Sequence, residues 1–163
     1  MVEVELVTVK VEMPANTSVV LLRERGGGRR LLPILIGNSE ATAIAYALDG
    51  VETPRPMTHD LMKNLLDELG VRVEQVVVTE LRDRTFFAEL RLRSAGGSYS
   101  VSSRPSDAIA LAARTGTPIY VSEAVLAEAA YREEDERERS GESDEMVEQF
   151  RQFIENVNPE DFV

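Results

Sequence analysis

The segment RPMTHD, residues 55–60, brings together the side-chain types that proton transfer requires. His59 is the only histidine in the chain, and it stands beside the carboxylate of Asp60, with Arg55 four residues earlier. An imidazole changes its charge near neutral pH, so a histidine next to a carboxylate can act as a general base. In the alternative interpretation Thr58 caps a helix, Asp60 interacts with the helix dipole, and His59 is a first-turn surface residue. The segment therefore predicts either a catalytic base or an ordinary helix start.

A second polar group opens the segment RPSDAIALAARTG, residues 104–116, whose later residues are mostly small and apolar. Ser106 and Asp107 are typical of the first turn of a helix, where a hydroxyl or a carboxylate binds free backbone N–H groups. Arg104 is not explained in this way. Because it precedes a proline, we expect an extended backbone there, with the guanidinium near a helix N-terminus that already favours anions. The segment predicts that Arg104 and Ser106 bind phosphate, with Asp107 beside them as a candidate catalytic carboxylate.

Arg84 is a third candidate for phosphate binding, in the turn RDRT at residues 82–85. In the alternative, Arg84 forms a surface ion pair with Asp83, which would contribute under ~1 kcal/mol. The chain has no cysteine and contains no HExxH, EF-hand, Walker or GxSxG motif. A hydrolase would therefore depend on His59, on arginines that hold phosphate, and on carboxylates that can also bind a divalent cation. Those carboxylates are Glu40, Asp60, Asp83 and Asp107.

Alternating apolar and polar residues predict the strands that must position these groups. Residues 2–12 alternate with one apolar residue out of phase, which indicates a β-bulge. Two further runs are separated by RGGGR, where we expect a hairpin turn, since a glycine-rich phosphate loop should lead into a helix. The strands predicted after the first are at residues 17–24, 29–36, 71–81, 85–93, 98–102 and 117–122.

Capping residues and a helical period predict four helices in the body of the chain. Their predicted ranges are 38–49, 58–69, 105–115 and 123 onward, and the first three end at a glycine. Asn38 or Ser39 is the expected cap of the first helix. In the second we expect a buried stripe of Leu61, Leu65, Leu66 and Leu69. The order of elements predicts an α+β fold, with a mixed or antiparallel sheet of meander strands packed with helices.

The end of the chain differs from the rest in composition. Residues 132–163 hold twelve Asp and Glu against four Arg, so most of the net charge of −11 lies there. We predict one α+β domain over residues 1–131, followed by an acidic linker and an amphipathic C-terminal helix over residues 132–163. One face of that helix would carry Met146, Phe150, Phe153, Ile154 and Val157.

Charge and hydropathy bear on the partners of the protein. Overall acidity disfavours nucleic acid, because phosphate binding depends on Lys and Arg. Residues 1–131 nevertheless carry fourteen bases against seventeen acids, with arginines clustered at 23–30 and 82–93. Nucleic acid therefore stays open as a partner, and a solvated hairpin surface is the alternative. No apolar run approaches the ~20 residues of a membrane span and no secretory signal opens the chain, so we expect no membrane partner and a cytoplasmic location.

Four segments, in this order, resemble the bifunctional nuclease domain family: PILIGNSEATAIA, RPMTHDLMKNLLDELG, RTFFAELRL and SSRPSDAIALAARTGTPIYV. The resemblance covers residues 1–131, and residues 132–163 look like the acidic extension of bacterial members. It implies an α+β fold and a homo-oligomer, for which a dimer is the expected form. One departure is that this chain has Ser102 and Ser103 where many members carry an Asp. The residues at the family's motif positions are Arg55, Thr58, His59, Asp60, Arg84, Thr85, Arg104, Pro105, Ser106 and Asp107.

The function that the resemblance implies is hydrolysis of phosphodiester bonds in DNA or RNA. In this hypothesis His59, with Asp60 or Asp107, activates water, and a divalent cation on the carboxylates is compatible with the chemistry. Phosphate would be held by Arg55, Arg84, Arg104 and Ser106. Two alternatives stay open. One is a non-enzymatic homo-oligomeric interaction or regulatory module, and the other is a protein that binds small phosphorylated ligands through the same arginines and helix termini.

Overall fold

The computed structural model describes residues 1–12 and 15–135, and the single positions 137 and 152. It divides into two compact units, residues 1–130 and residues 131–163. The described part of the second unit includes a two-residue strand, Tyr131–Arg132. The acidic linker and amphipathic helix predicted for residues 132–163 lie almost entirely outside the described residues, as does the apolar face expected at residues 146–157, and both stay predictions.

The strands of the first unit form one mixed sheet. They are β1 (Val2–Glu12), β2 (Thr17–Glu24), β3 (Arg30–Ile36), β4 (Arg72–Arg82), β5 (Thr85–Ser94), β6 (Gly97–Ser103) and β7 (Ile119–Val121). Their order across the sheet is β6, β5, β4, β7, β1, β2, β3. Neighbours pair antiparallel, except for the parallel pair of β4 and β7. The predicted α+β fold with a mixed sheet is confirmed.

The helices of the first unit are α1 (Asn38–Asp49), α2 (Thr58–Glu68), α3 (Pro105–Thr115) and α4 (Glu123–Ala129). The middle of α3, residues 108–112, is buried, and this helix contacts α1, α2, β4 and β5. Alanines at three of those five positions allow a close approach between backbones, while Ile109 and Leu111 fill the remaining space. The core around α3 includes Val20, Leu22, Leu32, Ile44, Val76, Val78 and Val121.

Local turn chemistry accounts for the hairpins. The register of β1 against β2 shifts between Leu6 and Thr8, so the bulge predicted from the out-of-phase residue is confirmed. β4 and β5 are joined by Asp83 and Arg84, whose φ angles are 50° and 63°. Positive φ at both central residues matches the twist of a two-residue hairpin. The predicted ion pair between Asp83 and Arg84 is absent from the described part of the chain.

In three helices the N-cap residue lies one or two residues before the capping residue that the sequence suggests. Their N-cap residues are Gly37, Met57 and Arg104, and none of them caps through its side chain. The predicted caps Asn38 or Ser39, Thr58 and Ser106 lie inside the helices instead. In α2 the carboxylate of Asp60 accepts the backbone N–H of Met57 at 3.0 Å, and in α1 the Asn38 side chain accepts the Ser18 hydroxyl at 2.6 Å. The Asn38 side chain therefore binds a hydroxyl of β2, and Asp60 binds the backbone at the start of α2 where Thr58 was expected to do so.

The buried stripe predicted for α2 is largely wrong. The face that packs on the core carries His59, Met62 and Leu66, which recur at spacings of three and four. Of the predicted stripe only Leu66 packs there. The other three leucines continue, together with Met57 before the helix, a solvent-facing row at intervals of four residues, with 50–72% of each residue exposed: Met57, Leu61, Leu65 and Leu69. We call these four residues the α2 apolar row.

The last helix of the first unit is shorter than its sequence suggests. Ser122 caps α4 as expected, accepting the backbone N–H of Val125 at 3.3 Å. The helix ends at Ala129, because Ala130 is extended and the strand Tyr131–Arg132 follows. Among the residues that the structure describes, no helix is long and apolar enough to cross a membrane.

Candidate functional site

The starts of α2 and α3 bring together His59 and Asp107, which are 48 residues apart in the chain. The imidazole Nε2 of His59 lies 2.9 Å from Oδ1 of Asp107. His59 is buried, with 6% exposed, and the Asp107 side chain is 26% exposed. A buried imidazole and a half-buried carboxylate are thus joined by a charge-assisted hydrogen bond at two helix N-termini.

Arg104 extends this contact toward α1. Its Nε donates to Oδ2 of Asp107 at 2.9 Å, and its Nη2 donates to Oε1 of Glu40 at 3.1 Å. Glu40 lies in the first turn of α1, 64 residues earlier in the chain. The guanidinium therefore binds two carboxylates while 66% of the side chain stays exposed. We call His59, Asp107, Arg104 and Glu40 the polar chain.

The protonation of the polar chain follows from its contacts. Burial raises the pKa of the Asp107 carboxyl, but the hydrogen bonds from His59 and Arg104 lower it by more, so the pKa lies below its ordinary value. Asp107 is consequently an acceptor near neutral pH, and His59 must donate a proton from Nε2. In the neutral imidazole this leaves the lone pair on Nδ1.

Nδ1 of His59 keeps contact with solvent. Within the described residues it has no hydrogen-bond partner, and no side-chain nitrogen or oxygen there is both fully buried and without a partner. A nitrogen that is unpartnered and not fully buried can bind a water molecule. Solvent access at Nδ1, combined with the bond at Nε2, is the arrangement that a histidine base requires.

Asp60 lies next to His59 but belongs to a different set of contacts. Its Oδ1 accepts from Nε of Arg114 at 2.7 Å, and its Oδ2 accepts from the backbone of Met57. The hydrogen bond from Arg114 lowers the pKa of the Asp60 carboxyl, and the bond from Met57 lowers it further. Both carboxylate oxygens are therefore engaged in holding the start of α2.

Arg114 is a residue that sequence reasoning missed. It is buried in the last turn of α3, and it also donates to the carbonyl oxygens of Ala110 and Ala43, each at 3.0 Å. One side chain therefore ties α1, α2 and α3 together. A signal was present in the sequence, since Arg114 is seven residues, or about two turns, after Asp107 on the same helix.

A cleft of about 500 Å³ lies beside the polar chain. Three segments line it: the end of β3 with Gly37, the β4–β5 turn with the first residues of β5, and the start of α3. Arg84, Arg104 and Ser106 thus meet in one cavity, as their candidate roles require. His59 and Asp107 are not lining residues, but Asp107 follows Ser106 directly and binds Arg104. We call this cavity the α3 cleft.

The arginines of the first unit fall into two groups. Most are paired with carboxylates on the same strand, on neighbouring strands or at helix starts, for example Arg23 with Glu5, Arg25 with Glu3, Arg30 with Glu24 and Glu123, Arg82 with Glu80, and Arg93 with Glu74. Arg29, Arg55 and Arg84 are exposed, and none of them forms an ion pair within the described part of the chain. Arg84 lies in the α3 cleft, whereas Arg55 precedes α2 and does not line it.

The carboxylates of the polar chain do not make a ready site for a divalent cation. Glu40 and Asp107 both bind the guanidinium of Arg104, which takes the place between them that a cation would need. Across the described residues there is no group of three or more His, Asp or Glu side chains that could hold a metal ion.

Comparison with known proteins identifies the family. A model of the bifunctional nuclease domain matches residues 20–134. The chain belongs to this family. The resemblance drawn from the sequence motifs is thereby confirmed, and the matched range includes every residue of the polar chain and the α3 cleft.

Relatives of two kinds share this bifunctional nuclease domain. A protein of Mycobacterium tuberculosis, described as uncharacterized, is 46% identical over 163 residues, which cover 98% of this chain and 97% of its own length. Bifunctional nuclease 2 of Arabidopsis thaliana is 34% identical over 110 residues, or 66% of this chain and 33% of the plant protein. Bifunctional nuclease 2 of Oryza sativa subsp. japonica is 31% identical, over 66% of this chain and 34% of its own length. The similarity to the plant proteins thus covers about a third of each.

Proposed function

We propose that the chain is a nuclease that hydrolyses phosphodiester bonds in DNA or RNA. The observation that carries the proposal is the convergence of His59, Asp107 and Arg104 beside a cleft that also holds Arg84 and Ser106. An oriented imidazole next to cationic and hydroxyl groups suits attack of water on a phosphodiester. The names of the plant relatives support the same class of reaction.

In the proposed reaction His59 acts as the general base. Nδ1 takes a proton from a water molecule while the water oxygen forms a bond to phosphorus, and the bond from phosphorus to the leaving oxygen breaks. Solvent supplies the proton to that leaving oxygen. Proton transfer to a positioned base such as His59 contributes about 10²- to 10⁴-fold. Asp107 holds the imidazole through Nε2 and stabilises the positive charge that the imidazole gains.

The cationic and hydroxyl groups of the α3 cleft hold the phosphate in this proposal. Arg84 pairs with no carboxylate among the residues that the structure describes, and the hydroxyl of Ser106 lies at the start of α3, where the helix dipole favours an anion. Arg104 keeps part of its guanidinium exposed and can donate from there. We assign Arg55, outside the cleft, to a neighbouring phosphate of the same strand. Asp60 acts as a positioning residue through the start of α2.

The test is hydrolysis of labelled DNA and RNA by the purified chain, with magnesium, manganese or a chelator. We expect Asp107→Asn to lower the rate about 100-fold, because an amide no longer fixes the tautomer of His59. Asp67→Asn is the matched control, since it changes a carboxylate that pairs with Lys63 at the surface of α2, and it should leave the rate unchanged. Equal rates for the wild type and Asp107→Asn would refute the mechanism. Absence of cleavage together with a thermal shift on adding mononucleotides would favour a binder of small phosphorylated ligands instead.

The α2 apolar row favours a second role, in assembly. Four large apolar side chains at intervals of four residues form a ridge, and such ridges interdigitate when two helices pack. We propose that this row lies in the interface of a homodimer. This assembly role corresponds to the alternative function, a non-enzymatic homo-oligomeric interaction or regulatory module. We also propose that the protein acts in the cytoplasm.

The assembly proposal is tested by molar mass in solution. We expect Leu65→Glu to convert a dimer to a monomer, whereas Asn64→Glu adds the same charge at the preceding residue of α2 and should leave the mass unchanged. A monomeric wild type, or a dimer that survives Leu65→Glu, would refute the proposed interface. Cell fractionation with the full chain tests the location.

A further inference from the structure

The lining of the α3 cleft is of two chemical kinds. Its apolar residues are Pro33, Ile34, Leu35, Ile36, Phe86 and Pro105. Its polar side chains are those of Arg84, Thr85, Arg104 and Ser106. A cavity of about 500 Å³ with a mainly apolar lining and a few polar groups has the size and lining of a small-ligand site.

Ser106 is the observation that points to a ligand in this cleft. It is 6% exposed, and its hydroxyl has no hydrogen-bond partner within the described residues. No side-chain oxygen there is both fully buried and unpartnered, so the Ser106 hydroxyl keeps contact with solvent, and the residue lines the α3 cleft. As the second and third residues of α3, Ser106 and Asp107 also have backbone N–H groups with no partner inside the helix. A hydroxyl and free backbone N–H groups at one helix start can together bind a single anionic group such as a phosphate.

Arg84 supplies the complementary charge. The two-residue turn with positive φ at Asp83 and Arg84 fixes the position of its backbone at the mouth of the cleft. No carboxylate of the described residues pairs with it, in contrast to Arg104. The lining of the cleft therefore combines an arginine that pairs with no carboxylate of the described residues and the buried hydroxyl of Ser106, two groups that can bind one phosphate.

We propose that the α3 cleft binds one unpaired nucleotide, with its phosphate on Arg84 and Ser106 and its base against Phe86 and the end of β3, so that the protein selects single-stranded nucleic acid. This inference rests on the proposed nuclease function. A paired base in a duplex is stacked on both faces and must be unstacked before it can enter a cavity, and this cost is smallest for a base that is already single-stranded. Phe86 is the one aromatic side chain in the lining, enough to stack a single base and no more.

The test measures binding separately from cleavage. The probe is a short fluorescent single strand with a phosphorothioate backbone, which keeps its charge and resists hydrolysis, together with the duplex of the same sequence. Fluorescence anisotropy with the full chain should give binding to the single strand that is about tenfold tighter or more than to the duplex. Arg84→Ala should weaken single-strand binding about tenfold and lower the salt slope by about 1, since one phosphate contact is lost. Ser106→Ala should also weaken it, and Phe86→Leu, which keeps the apolar volume, should do so through loss of stacking.

Arg72→Ala is the matched control. Arg72 is an exposed arginine at the opposite end of β4, about 30 Å from the turn, so its removal changes the net charge equally. Equal affinity for single strand and duplex would overturn the inference. So would equal losses for Arg84→Ala and Arg72→Ala, because binding would then follow net charge alone.

The two proposals fail in different ways. Selective binding of the single strand without hydrolysis of ordinary DNA or RNA would refute the nuclease function and support the nucleotide-binding cleft. Hydrolysis with equal rates and affinities on single strand and duplex would support the nuclease function and refute the nucleotide-binding cleft.

Discussion

Replacing Arg114 by methionine should destabilise the protein more than any other change to an ion pair of the first unit. Methionine keeps most of the aliphatic length, so the substitution removes the donors with little change in packing. The wild-type side chain is buried, with 9% exposed, and makes one bond to the Asp60 carboxylate and two to carbonyl oxygens of α3 and α1. A hydrogen bond to a charged group contributes about 1.5–3 kcal/mol. The Asp60 side chain is 36% exposed, so water recovers part of its loss.

We therefore expect the free energy of unfolding to fall by about 3 kcal/mol, which corresponds to a decrease in Tm of about 10 °C for a domain of this size. Thermal and urea unfolding measure the change. Lys63→Met is the control, because it removes the exposed Lys63–Asp67 pair, worth at most about 0.5 kcal/mol. A double-mutant cycle with Asp60→Asn should give a coupling of about 1–2 kcal/mol. A Tm within about 3 °C of the wild type would refute the assignment of Arg114 as the side chain that ties the three helices together.

Three further predictions concern acid, a charged bridge and a helix end. The pKa values of Asp60 and Asp107 are lowered in the folded state. Their stabilising contribution is therefore complete above the unfolded pKa of about 4 and is lost as pH falls through the folded pKa values. Tm measured from pH 7 to pH 2 should be constant above about pH 5 and fall below it, and the fall should be less steep in Asp60→Asn. Arg30→Ala leaves the largely buried Glu24 carboxylate without its guanidinium partner and should lower the free energy of unfolding by about 1–2 kcal/mol in urea. Arg72→Ala, which removes the long contact between the exposed Arg72 and Glu74 in strand β4, serves as the comparison. Gly116 ends α3 with φ of 68° and has open space around it, so Gly116→Ala should cost about 1 kcal/mol from backbone strain alone, and an unchanged urea midpoint would contradict this.

The local order along the chain could be read from the sequence because it depends on near neighbours. The bulge in β1 follows from one apolar residue out of phase, and the start of α3 follows from Pro105, whose ring suits the first helical position. The α+β class follows from the order of the elements. The family motifs also lie within short segments, which is why the resemblance could be drawn from sequence segments and then confirmed by the family match.

The face of a helix that becomes buried is not a local property. In α2 the leucine row and the face of His59, Met62 and Leu66 both have helical spacing. Hydrophobicity alone predicted that the leucine row is buried, yet the face of His59, Met62 and Leu66 packs on the core. The positions of the other helices decide the matter, since the bonds from His59 to Asp107 and from Asp60 to Arg114 fix the rotation of α2.

The candidate site shows the same division. The sequence by itself determined which side chains could do chemistry: one histidine, its neighbouring acids and three motif arginines. Only the tertiary structure decided their partners, because those contacts join residues 48, 54 and 64 positions apart. Packing of α1, α2 and α3 around small alanines commits Asp60 to Arg114 and Arg104 to two carboxylates, and it leaves Arg84 and Ser106 uncommitted in one cleft. The free energies of these contacts depend on residues far apart in the chain, so no single segment of the sequence predicts them.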